Sequence, residues 1–510
     1  MLNIRRNRMI GEKLPSDRIS HVNTNRTRRC IPSTQPPTMR SATKITARSL
    51  SSVAAKLPAA GFPPPPQPPS YIDLSDTRRL FASVPTSALL RSLATLSAMA
   101  SGPLVDLAAA ALRSSVPKER RLLRAAVLTA ARATVHRHFC AGEQVEDAAR
   151  TVRAMWTDAG LRSILDYGME DADDAAACDR NLAGFLRAVD MASSLPPTST
   201  SVCVKMTALA PISLLERASD ALRWEQQNPS FRPVAWRSHS FPVLCASSPL
   251  HLTPTEPNPL TETEENDLQL AARRLSAICQ RCEQADIPLL IDAEYSSVQP
   301  AIDYLTYWAA LKFNHGDRPT VYGTIQTYLR DSRERMMNAA EGAAAAGVSL
   351  GVKLVRGAYL SRETRLAAAM AAPSPLHGSI QETHRCFNDC ASFMIERVSR
   401  GAAAVVVATH NLQSAQAAAL KAQELGIGKE DERVKFAQLM GMANGLSYGL
   451  RNAGFQVSKY LPFGPVEQVI PYLLRRAEEN RGLLSASAAD RQLMRKELSR
   501  RLAVAIAGRN

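Results

Sequence analysis

The chain has 510 residues, 45% of them apolar, which is enough for two domains or for one large domain with extensions. Its nine cysteines are scattered through segments with helix or strand patterns, which argues against a disulfide scaffold and for a reducing compartment. The net charge of +15 suggests nucleic-acid binding, yet residues 1–60 alone carry +10 and the rest of the chain only +5. Because RNP, zinc-finger and basic-zipper patterns are also absent, we assign the excess charge to the terminus and expect no nucleic-acid partner.

The first 60 residues are rich in Arg, Ser and Thr and contain only Glu12 and Asp17 as acids. Residues 39–56 can form a basic amphipathic helix, as organelle import requires, so we predict a disordered mitochondrial transit segment over residues 1–60. A basic tail without a targeting role is the alternative. Residues 61–76, which include the run Pro63–Pro66, are predicted to be a polyproline linker. Since the chain has no run of 18 apolar residues, we expect no membrane span.

Residues 77–160 show apolar side chains at helical spacing and are predicted to be an N-terminal helical region. After it, short apolar strands alternate with longer helical stretches, a pattern typical of the α/β class and of a parallel (β/α)8 barrel of the TIM type. A doubly wound sheet would show a glycine-rich turn after its first strand, and neither GxGxxG nor GxxxxGK[ST] occurs. The eight predicted strands are 161–170, 201–209, 288–294, 320–326, 349–356, 402–411, 433–440 and 456–462.

The barrel is expected to span residues 161–490, followed by a tail helix over residues 491–510. The Pro-rich and polar stretch 211–263, with Trp224 and Trp236, is interpreted as an insertion between the second strand and its helix. Helices predicted between the strands include 264–285, 296–314, 330–346 and 412–424.

Six predicted strands carry polar or titratable residues at or near their carboxyl ends, where barrel enzymes place their chemistry. Lys205, Asp292 and Lys353 alternate with apolar residues, which points them into the barrel, and burying such groups is costly unless each is paired. Any one of them could be a structural ion pair, but six such strands together favour a site. The residues concerned are Tyr167, Glu170, Lys205, Asp292, Glu294, Gln326, Lys353, Arg356, Gly357, Tyr359, Thr409, His410 and Asn411.

The pair Arg475–Arg476 lies in an otherwise apolar helical stretch that begins near Pro471. Adjacent helix positions are roughly 100° apart, so both guanidinium groups can converge on one carboxylate or phosphate. A solvated basic helix face would give the same pattern. Glu479 lies one turn beyond Arg475 on the same side.

Other catalytic groups are scarce in the sequence. The CxxC of residues 279–282 is not followed by a second pair, so a metal or redox role is not expected there and we predict no metal site. His136, His138, His384 and Cys386 are expected on helix surfaces. A cationic pocket with few acid–base or nucleophilic groups suits a bound cofactor that supplies the chemistry.

Eight motifs occur in order along the chain: LDYGME (165–170), VKMTAL (204–209), IDAE (291–294), KLVRGAY (353–359), ATHN (408–411), QLMGM (438–442), YLPFG (460–464) and YLLRRAEEN (472–480). On these motifs, over roughly residues 135–485, the chain resembles the FAD-dependent proline dehydrogenases of eukaryotic mitochondria. The resemblance implies a distorted (β/α)8 barrel whose double-arginine helix lies across the mouth, meaning the end formed by the carboxyl ends of the strands. At position 353 this chain has Lys where bacterial members have Arg near flavin N5, so a positive charge is kept.

The resemblance also implies a role for each candidate. Lys205, Arg475 and Arg476 would bind the substrate carboxylate. Asp292 would pair with an arginine of the last helix. Glu170 would offset Lys205, and Glu479 would connect the helix to the cofactor region. The residues implied for the substrate are Lys205, Asp292, Tyr359, Leu439, Tyr460, Arg475 and Arg476. Those implied for FAD are Gln326, Lys353, Val355, Gly357, Thr409, His410, Asn411, Gln438 and Glu479.

The implied reaction is the first step of proline catabolism, oxidation of L-proline to Δ1-pyrroline-5-carboxylate by hydride transfer from C5 to flavin N5. Electrons would pass to ubiquinone during peripheral contact with the inner mitochondrial membrane from the matrix side, and pyrroline-5-carboxylate dehydrogenase would act downstream. Because the ring amine must be neutral, activity should rise with pH into the mildly alkaline range.

Hydroxyproline dehydrogenase is the nearest alternative, although relatives that prefer hydroxyproline carry a smaller residue at the position of Tyr460. Methylenetetrahydrofolate reductase, an RNA-binding protein and an inactive scaffold are more distant alternatives.

Overall fold

The computed structural model describes residues 72–102, 105–106, 109–110, 121–230, 236–482 and 484–507, without the side chains of residues 121, 123 and 479–486. All of them belong to one unit, Gln67–Asn510. The predicted transit segment and residues 61–71 of the predicted linker lie outside the described residues. None of the helices in the described part of the chain is long and apolar enough to cross a bilayer.

The centre of the fold is a closed barrel of eight parallel strands. Each strand pairs with the next in the chain, and the last pairs with the first through the register Ile164↔Tyr460. The predicted (β/α)8 barrel is therefore confirmed, with shorter strands than expected because several motif residues lie in the loops beyond the strand ends. The strands are β1 Arg162–Tyr167, β2 Thr200–Val204, β3 Leu289–Ile291, β4 Val321–Gln326, β5 Leu350–Val355, β6 Ala403–Ala408, β7 Val434–Leu439 and β8 Val457–Phe463.

Helices surround this barrel and precede it. A π-helical turn, Arg132–His136, and the 3-10 turns Met206–Ala208 and Leu250–Leu252 complete the set in the described residues. The helices are α1 Thr77–Leu80, α2 Thr86–Met99, α3 Arg121–Ala131, α4 Arg137–Phe139, α5 Val145–Ala159, α6 Ala175–Ser193, α7 Ile212–Gln227, α8 Glu262–Gln284, α9 Gln299–Phe313, α10 Ser332–Ala345, α11 Leu360–Ala369, α12 Ile380–Ser399, α13 Leu412–Glu424, α14 Asn444–Asn452, α15 Ile470–Gly482 and α16 Leu484–Ala507.

Alternate residues of the strands divide between two apolar cores, as the two-residue period of a strand requires. Leu165 and Phe436 belong to the large core between the strands and the surrounding helices. Ile164 and Ala437 belong to a smaller core inside the barrel, which also contains Leu473 of α15. Since α15 shares this inner core, it closes the barrel at one end.

The stretch 211–263, interpreted from the sequence as an insertion between the second strand and its helix, is helical at its start. Its first third forms α7, with Pro211 immediately before the first turn and Leu214, Leu215 and Leu222 buried. The apolar residues recur at helical spacing, but the polar and Pro-rich segment that follows obscured them. The predicted tail helix also begins earlier than expected, because α16 starts at Leu484.

The histidines near residue 137 are buried rather than on a helix surface. His136 and His138 are 3% and 8% exposed, and their Nε2 atoms lie 3.3 and 2.9 Å from the carbonyl oxygens of Gly464 and Gly441. Cys386 is also buried. The surface prediction was wrong for these three residues because their helices pack against the loops of the barrel mouth or against neighbouring helices.

Candidate active site

The first part of the site is a group of charged side chains inside the barrel, near the carboxyl ends of the strands. Lys205, which directly follows β2, donates from Nζ to both carboxylate oxygens of Asp166 in β1, at 2.9 and 3.0 Å. The same ammonium group lies 3.6 Å from Oδ2 of Asp292, the residue after β3. Lys353 of β5 binds the other oxygen of Asp292. Two ammonium groups and two carboxylates therefore form one charge-balanced network, called here the lysine–aspartate network.

Burial and mutual contact together set the charges in this network. Burial alone would lower the pKa of Lys205, but Asp166 and Asp292 raise that pKa well above its usual value. Burial alone would raise the pKa of Asp292, but Lys353 and Lys205 hold that pKa below the usual carboxyl range. Burial raises the pKa of Asp166, and Lys205 opposes the shift. Because Lys205 is within hydrogen-bonding distance of both Asp166 oxygens, we treat the two as an ion pair.

Tyr460 of β8 joins the network through its hydroxyl group. The hydroxyl donates to Oδ2 of Asp292 at 2.6 Å and accepts from Lys205 Nζ at 3.5 Å. The Lys353 ammonium group lies 5.2 Å from the centre of the Tyr460 ring. Lys353 was implied for the cofactor, but the structure places it beside three residues implied for the substrate, so it lies where the two groups of residues meet.

Asp166, Cys203 and Asp292 form a potential metal-ligand cluster among the described residues, with ligand atoms within 4.8 Å of one another. Lys205 and Lys353 already bind the two carboxylates. A metal ion would have to displace at least one ammonium group. The arrangement is therefore better interpreted as a charge-balanced pocket than as a metal centre.

The second part of the site is provided by α15. Arg475 donates from Nη1 and Nη2 to the two oxygens of Glu170 at 2.9 and 2.8 Å. Burial alone would raise the pKa of Glu170, but Arg475 lowers that pKa, so the pair is ionised. The Arg475 guanidinium group also lies 5.5 Å from the centre of the Tyr359 ring, in the loop after β5. Arg475 thus connects α15 to loops on two sides of the barrel mouth.

Two pairings implied by the resemblance take a different form in this structure. Asp292 binds Lys353 and Lys205, and the direct partner of Lys205 is Asp166. Glu170 acts on Lys205 through its charge, which adds to those of Asp166 and Asp292 in raising the pKa of Lys205 against the effect of burial. Glu170 lies three residues beyond the end of β1, at the rim that α15 reaches, whereas Asp292 directly follows β3 and lies beside the lysines. Arg476 is 5% exposed, with its guanidinium group 4.8 Å from the centre of the Tyr472 ring. The Glu479 side chain lies outside the described residues.

The third part of the site lies at the ends of β5 and β6. Arg356 donates to the hydroxyl oxygens of Thr409 and Ser414, both at 2.7 Å, and its guanidinium group lies 4.3 Å from the centre of the Phe387 ring. Burial lowers the pKa of Arg356 to about 10, which leaves it charged at neutral pH. Asn411 caps α13 by accepting from the Ser414 backbone N–H at 2.8 Å. A fixed positive charge therefore lies beside a helix N-terminus, an arrangement suited to an anion.

His410 and Gln438 belong to the same part of the site. Burial lowers the pKa of His410 to about 3, so its imidazole is neutral. Nε2 accepts a hydrogen bond from the Leu439 backbone N–H at 3.1 Å, so the ring proton must be on Nδ1, which can donate. Gln438 donates to the Thr409 carbonyl at 3.3 Å and accepts from the Ser447 hydroxyl at 2.9 Å. Four residues implied for FAD are thus adjacent, namely Thr409, His410, Asn411 and Gln438.

Gln326 and Gly357 provide a test of whether these residues fit a flavin. Gln326 donates from Nε2 to the Glu294 carbonyl, while its buried Oε1 has no hydrogen-bond partner among the described residues. Such an atom is costly unless a ligand or water satisfies it. Gly357, two residues beyond Val355, has φ +123°, a backbone conformation that residues with a Cβ rarely adopt, and the Tyr328 ring packs directly against it. An unsatisfied amide, a glycine turn and fixed cations suit a cofactor with polar ring edges and phosphates.

Asp166 and Arg356 are site residues that the sequence reasoning missed or underused. Asp166 lies in the LDYGME motif but was not predicted to be a site residue. An aspartate that alternates with apolar residues along a strand can equally have a structural role. Its placement on β1, beside β2 in the barrel, could have predicted a partner for Lys205. Arg356 was noted at a strand end without a role, and its three hydrogen bonds could not be read from the chain.

The chain is similar to known proteins in sequence and in fold. The family model described as proline dehydrogenase matches residues 148–489. The chain is 49% identical to Proline dehydrogenase 1, mitochondrial, of Arabidopsis thaliana over 92% of this chain and 95% of that protein. It is 50% identical to Proline dehydrogenase 2, mitochondrial, of the same plant over 86% and 92%. Hydroxyproline dehydrogenase of Bos taurus is 34% identical over 73% and 81%.

A solved structure of proline utilization A (PutA) from Bdellovibrio bacteriovorus, inactivated by N-propargylglycine, is similar in fold. The TM-score is 0.58 at 18% identity, and the match covers 83% of this chain and 44% of that one. At this identity the similarity supports the barrel fold alone.

Proposed function

The chain belongs to the proline dehydrogenase family, and from that premise we propose that it oxidises L-proline to Δ1-pyrroline-5-carboxylate with FAD as its cofactor. The observation that carries the proposal is the convergence of Arg475, Lys205 and Tyr460 on the end of the barrel that α15 closes. A cyclic amino acid needs a cationic partner for its carboxylate and an apolar wall for its ring. Both are found at this end of the barrel.

The substrate carboxylate would bind Arg475, Arg476 and Lys205. A guanidinium group has five N–H donors, so Arg475 keeps donors beyond the two that bind Glu170. Glu170 fixes the orientation of Arg475 before substrate arrives, which reduces the entropy lost on binding. The rings of Tyr359 and Tyr460, together with Leu439, would form the wall around the pyrrolidine ring.

FAD would bind where Gln326, Gly357, His410 and Gln438 lie, with Arg356 beside it. The bound flavin supplies the acceptor for the hydride lost from C5 of proline. The chain itself would contribute a buried acceptor at Gln326 Oε1, a donor at His410 Nδ1 and the positive charge of Lys353. These groups fix the ring edge and its charge environment without acting as acid or base.

The reaction requires the amine of proline to be neutral, since loss of hydride from C5 leaves a cationic imine. The rate of proline oxidation should therefore increase with pH into the mildly alkaline range. Asp292 and Tyr460 could orient that amine, because their oxygens lie 2.6 Å apart in the same pocket as the carboxylate partner Lys205. A flat dependence of rate on pH would argue against this step.

Hydroxyproline is the second candidate substrate, since a relative 34% identical to this chain carries the name hydroxyproline dehydrogenase. Two observations favour proline. Identity is higher, 49–50%, to the relatives named proline dehydrogenase. The Tyr460 hydroxyl is also bound to Asp292 at 2.6 Å, which holds in place a ring that is larger than the residue implied at this position in relatives that prefer hydroxyproline.

The proposed compartment and electron acceptor rest on the same family membership. The relatives at 49% and 50% identity are named mitochondrial, and the basic first 60 residues suit a transit segment. We place the chain in the matrix, in peripheral contact with the inner membrane, where ubiquinone would accept electrons. Pyrroline-5-carboxylate dehydrogenase would consume the product.

Two measurements test the proposal. The purified chain should show flavin absorbance bands in the blue and near-ultraviolet, and it should reduce a soluble dye with L-proline as donor. A colourless protein that does not take up added FAD would contradict the flavoenzyme assignment. Faster oxidation of 4-hydroxyproline than of proline, with flavin bound, would reject only the substrate.

A further inference from the structure

The last turns of α16 extend beyond the surface of the protein. Arg501 binds the body through the carbonyl oxygens of Phe81 and Val84, both at 2.8 Å, and through the Thr86 hydroxyl at 3.0 Å. From residue 502 to residue 507 every residue is exposed. We call residues 502–507, with the sequence Leu-Ala-Val-Ala-Ile-Ala, the apolar tip.

The apolar tip presents apolar side chains in every direction around the helix. Leu502, Val504 and Ile506 are 62%, 60% and 58% exposed. Leu502 and Ile506 are four positions apart and share one side, whereas Val504 lies roughly 200° from Leu502 on the other. A helix that binds in a protein groove needs one apolar stripe, whereas a helix that is apolar all round suits surroundings that are apolar on every side. Lipid is such an environment.

A positively charged surface lies at the base of the apolar tip. Lys496 donates to the Ser75 carbonyl at 2.9 Å, which connects α16 to the segment before α1. The acids here are Glu497, which is fully buried and bound by two arginines, and Asp73 and Asp76, which are exposed. Cations outnumber them. We call the five basic residues Arg78, Arg79, Arg495, Lys496 and Arg500 the basic collar.

Resting on the peripheral membrane contact of the proposed function, we propose that the apolar tip makes that contact: it inserts into the interfacial layer of an anionic lipid bilayer while the basic collar binds the headgroup phosphates. Six helical residues extend about 9 Å, which matches the depth of about 5–10 Å at which interfacial helices bury apolar side chains. The same length is far below the thickness of about 30 Å that a spanning helix needs. Arginine and lysine at the base suit phosphate, and each basic residue near an anionic surface strengthens binding.

A second copy of this chain is the other occupant that could cover the tip. Two tips packed together would bring two basic collars into proximity, and like charges destabilise such an interface. Anionic lipid removes that repulsion. Charge complementarity therefore favours the bilayer over self-association.

The test is flotation of the purified flavin-loaded protein with vesicles. One set contains phosphatidylcholine and phosphatidylglycerol, and the other contains phosphatidylcholine alone. The double variant L502S/I506S removes two large apolar side chains from one side of the tip. The matched control L270S/I380S makes the same change at two exposed residues elsewhere, which are 37% and 52% exposed.

We expect the wild type and the control to float with the anionic vesicles, and the tip variant to bind at least about tenfold less. Wild-type binding should weaken in high salt and with neutral vesicles. Equal flotation of the wild type and the tip variant would overturn the proposal. So would an oligomer in size-exclusion chromatography that L502S/I506S converts to a monomer, if the wild type does not bind vesicles.

The same preparations are assayed with L-proline and a soluble dye, which requires no membrane. Activity should be equal in the wild type, the tip variant and the control, since the tip is outside the site. If all three lack activity while the flotation pattern holds, the proposed reaction fails and the membrane assignment stands.

Discussion

Gly357 shows how strictly one backbone position is constrained in the proposed flavin site. Its φ of +123° is a conformation that side chains with a Cβ rarely adopt. A Cβ at this position would lie 2.2 Å from Cε1 of Tyr328, which is itself buried. The substitution G357A should therefore cost about 1–3 kcal/mol of stability from backbone strain. It should also lower the flavin content, because Tyr328 or the loop must move. Thermal unfolding and the flavin-to-protein absorbance ratio measure the two effects.

Gly347 provides a matched control for this substitution. It has a positive φ of +68°, but a Cβ there meets nothing within 4 Å. G347A should lose stability through the backbone alone and keep its full flavin content. If G357A retained as much flavin as G347A, the close approach at Gly357 would have no role in cofactor binding.

Asp166 is expected to position Lys205 for the substrate carboxylate. In D166N the amide keeps the size of the side chain but loses the charge that binds Lys205 through two oxygens. Lys205 would then move toward Asp292, which lies 3.6 Å away. We expect KM for proline to rise roughly tenfold, since a charged hydrogen bond contributes about 1.5–3 kcal/mol. Flavin content should be unchanged. The control D190N alters a solvent-exposed pair with Arg281 and should leave KM unchanged.

At the scale of the element, α15 carries the two arginines proposed to bind the substrate, and the prediction concerns Arg475. R475M should raise KM for proline by about tenfold to a hundredfold, because a charged contact contributes about 1.5–3 kcal/mol. Flavin should remain bound. The substitution also leaves the largely buried Glu170 without its partner, which lowers stability for a separate reason.

The double variant R475M/E170Q separates the two effects. It should recover stability in thermal unfolding while KM remains high, since glutamine needs no counter-charge. Loss of flavin in R475M, with KM for proline unchanged in reloaded enzyme, would place Arg475 in the cofactor site instead.

The position of α15 illustrates what the sequence could predict. Eight short apolar strands alternating with helical stretches predicted the barrel, and the family resemblance implied that the double-arginine helix α15 lies across its mouth. The ion pairs of Glu170 and Asp292 were not predictable, because they depend on how far each residue lies beyond its strand. Glu170 lies three residues past β1 and reaches α15, whereas Asp292 follows β3 directly and meets the lysines.

The helix α7 was missed for a different reason. Its buried leucines have helical spacing, but the polar and Pro-rich segment after it dominated the interpretation of the whole stretch. His136 and His138 were assigned to a surface because no sequence pattern shows that their helices pack against the loops at Gly464 and Gly441. In both cases long-range packing decided the outcome, and local pattern could not.

At the scale of the whole molecule, buried titratable groups should make stability depend on pH in two opposite ways. Burial raises the pKa of Glu294 to about 8 from an ordinary value of 4.5, although its hydrogen bonds from Thr207 oppose the shift. Between these values the folded protein keeps a proton that the unfolded chain has lost. The contribution of Glu294 is therefore complete below pH 4.5 and is lost as the pH rises to about 8.

Lys459 has the opposite effect at higher pH. Burial lowers its pKa to about 7 from 10.5, although Asp490 opposes the shift, and Nζ donates to the Met442 carbonyl and the Ser447 hydroxyl. Above pH 7 the folded protein has released a proton that the unfolded chain still binds up to about pH 10.5. Stability should therefore rise with pH in this range.

The two variants E294Q and K459M separate these contributions. In urea unfolding between pH 5 and 10, the free energy of unfolding of E294Q relative to wild type should increase from pH 5 to 8, with a slope of at most about 1.4 kcal/mol per pH unit. For K459M relative to wild type it should decrease from pH 7 to 10, because the variant lacks the rising contribution of Lys459. The pH slope is the informative quantity, since the loss of the Met442 and Ser447 contacts shifts K459M equally at all pH values. Parallel curves for wild type and both variants would mean that neither group changes its protonation on unfolding.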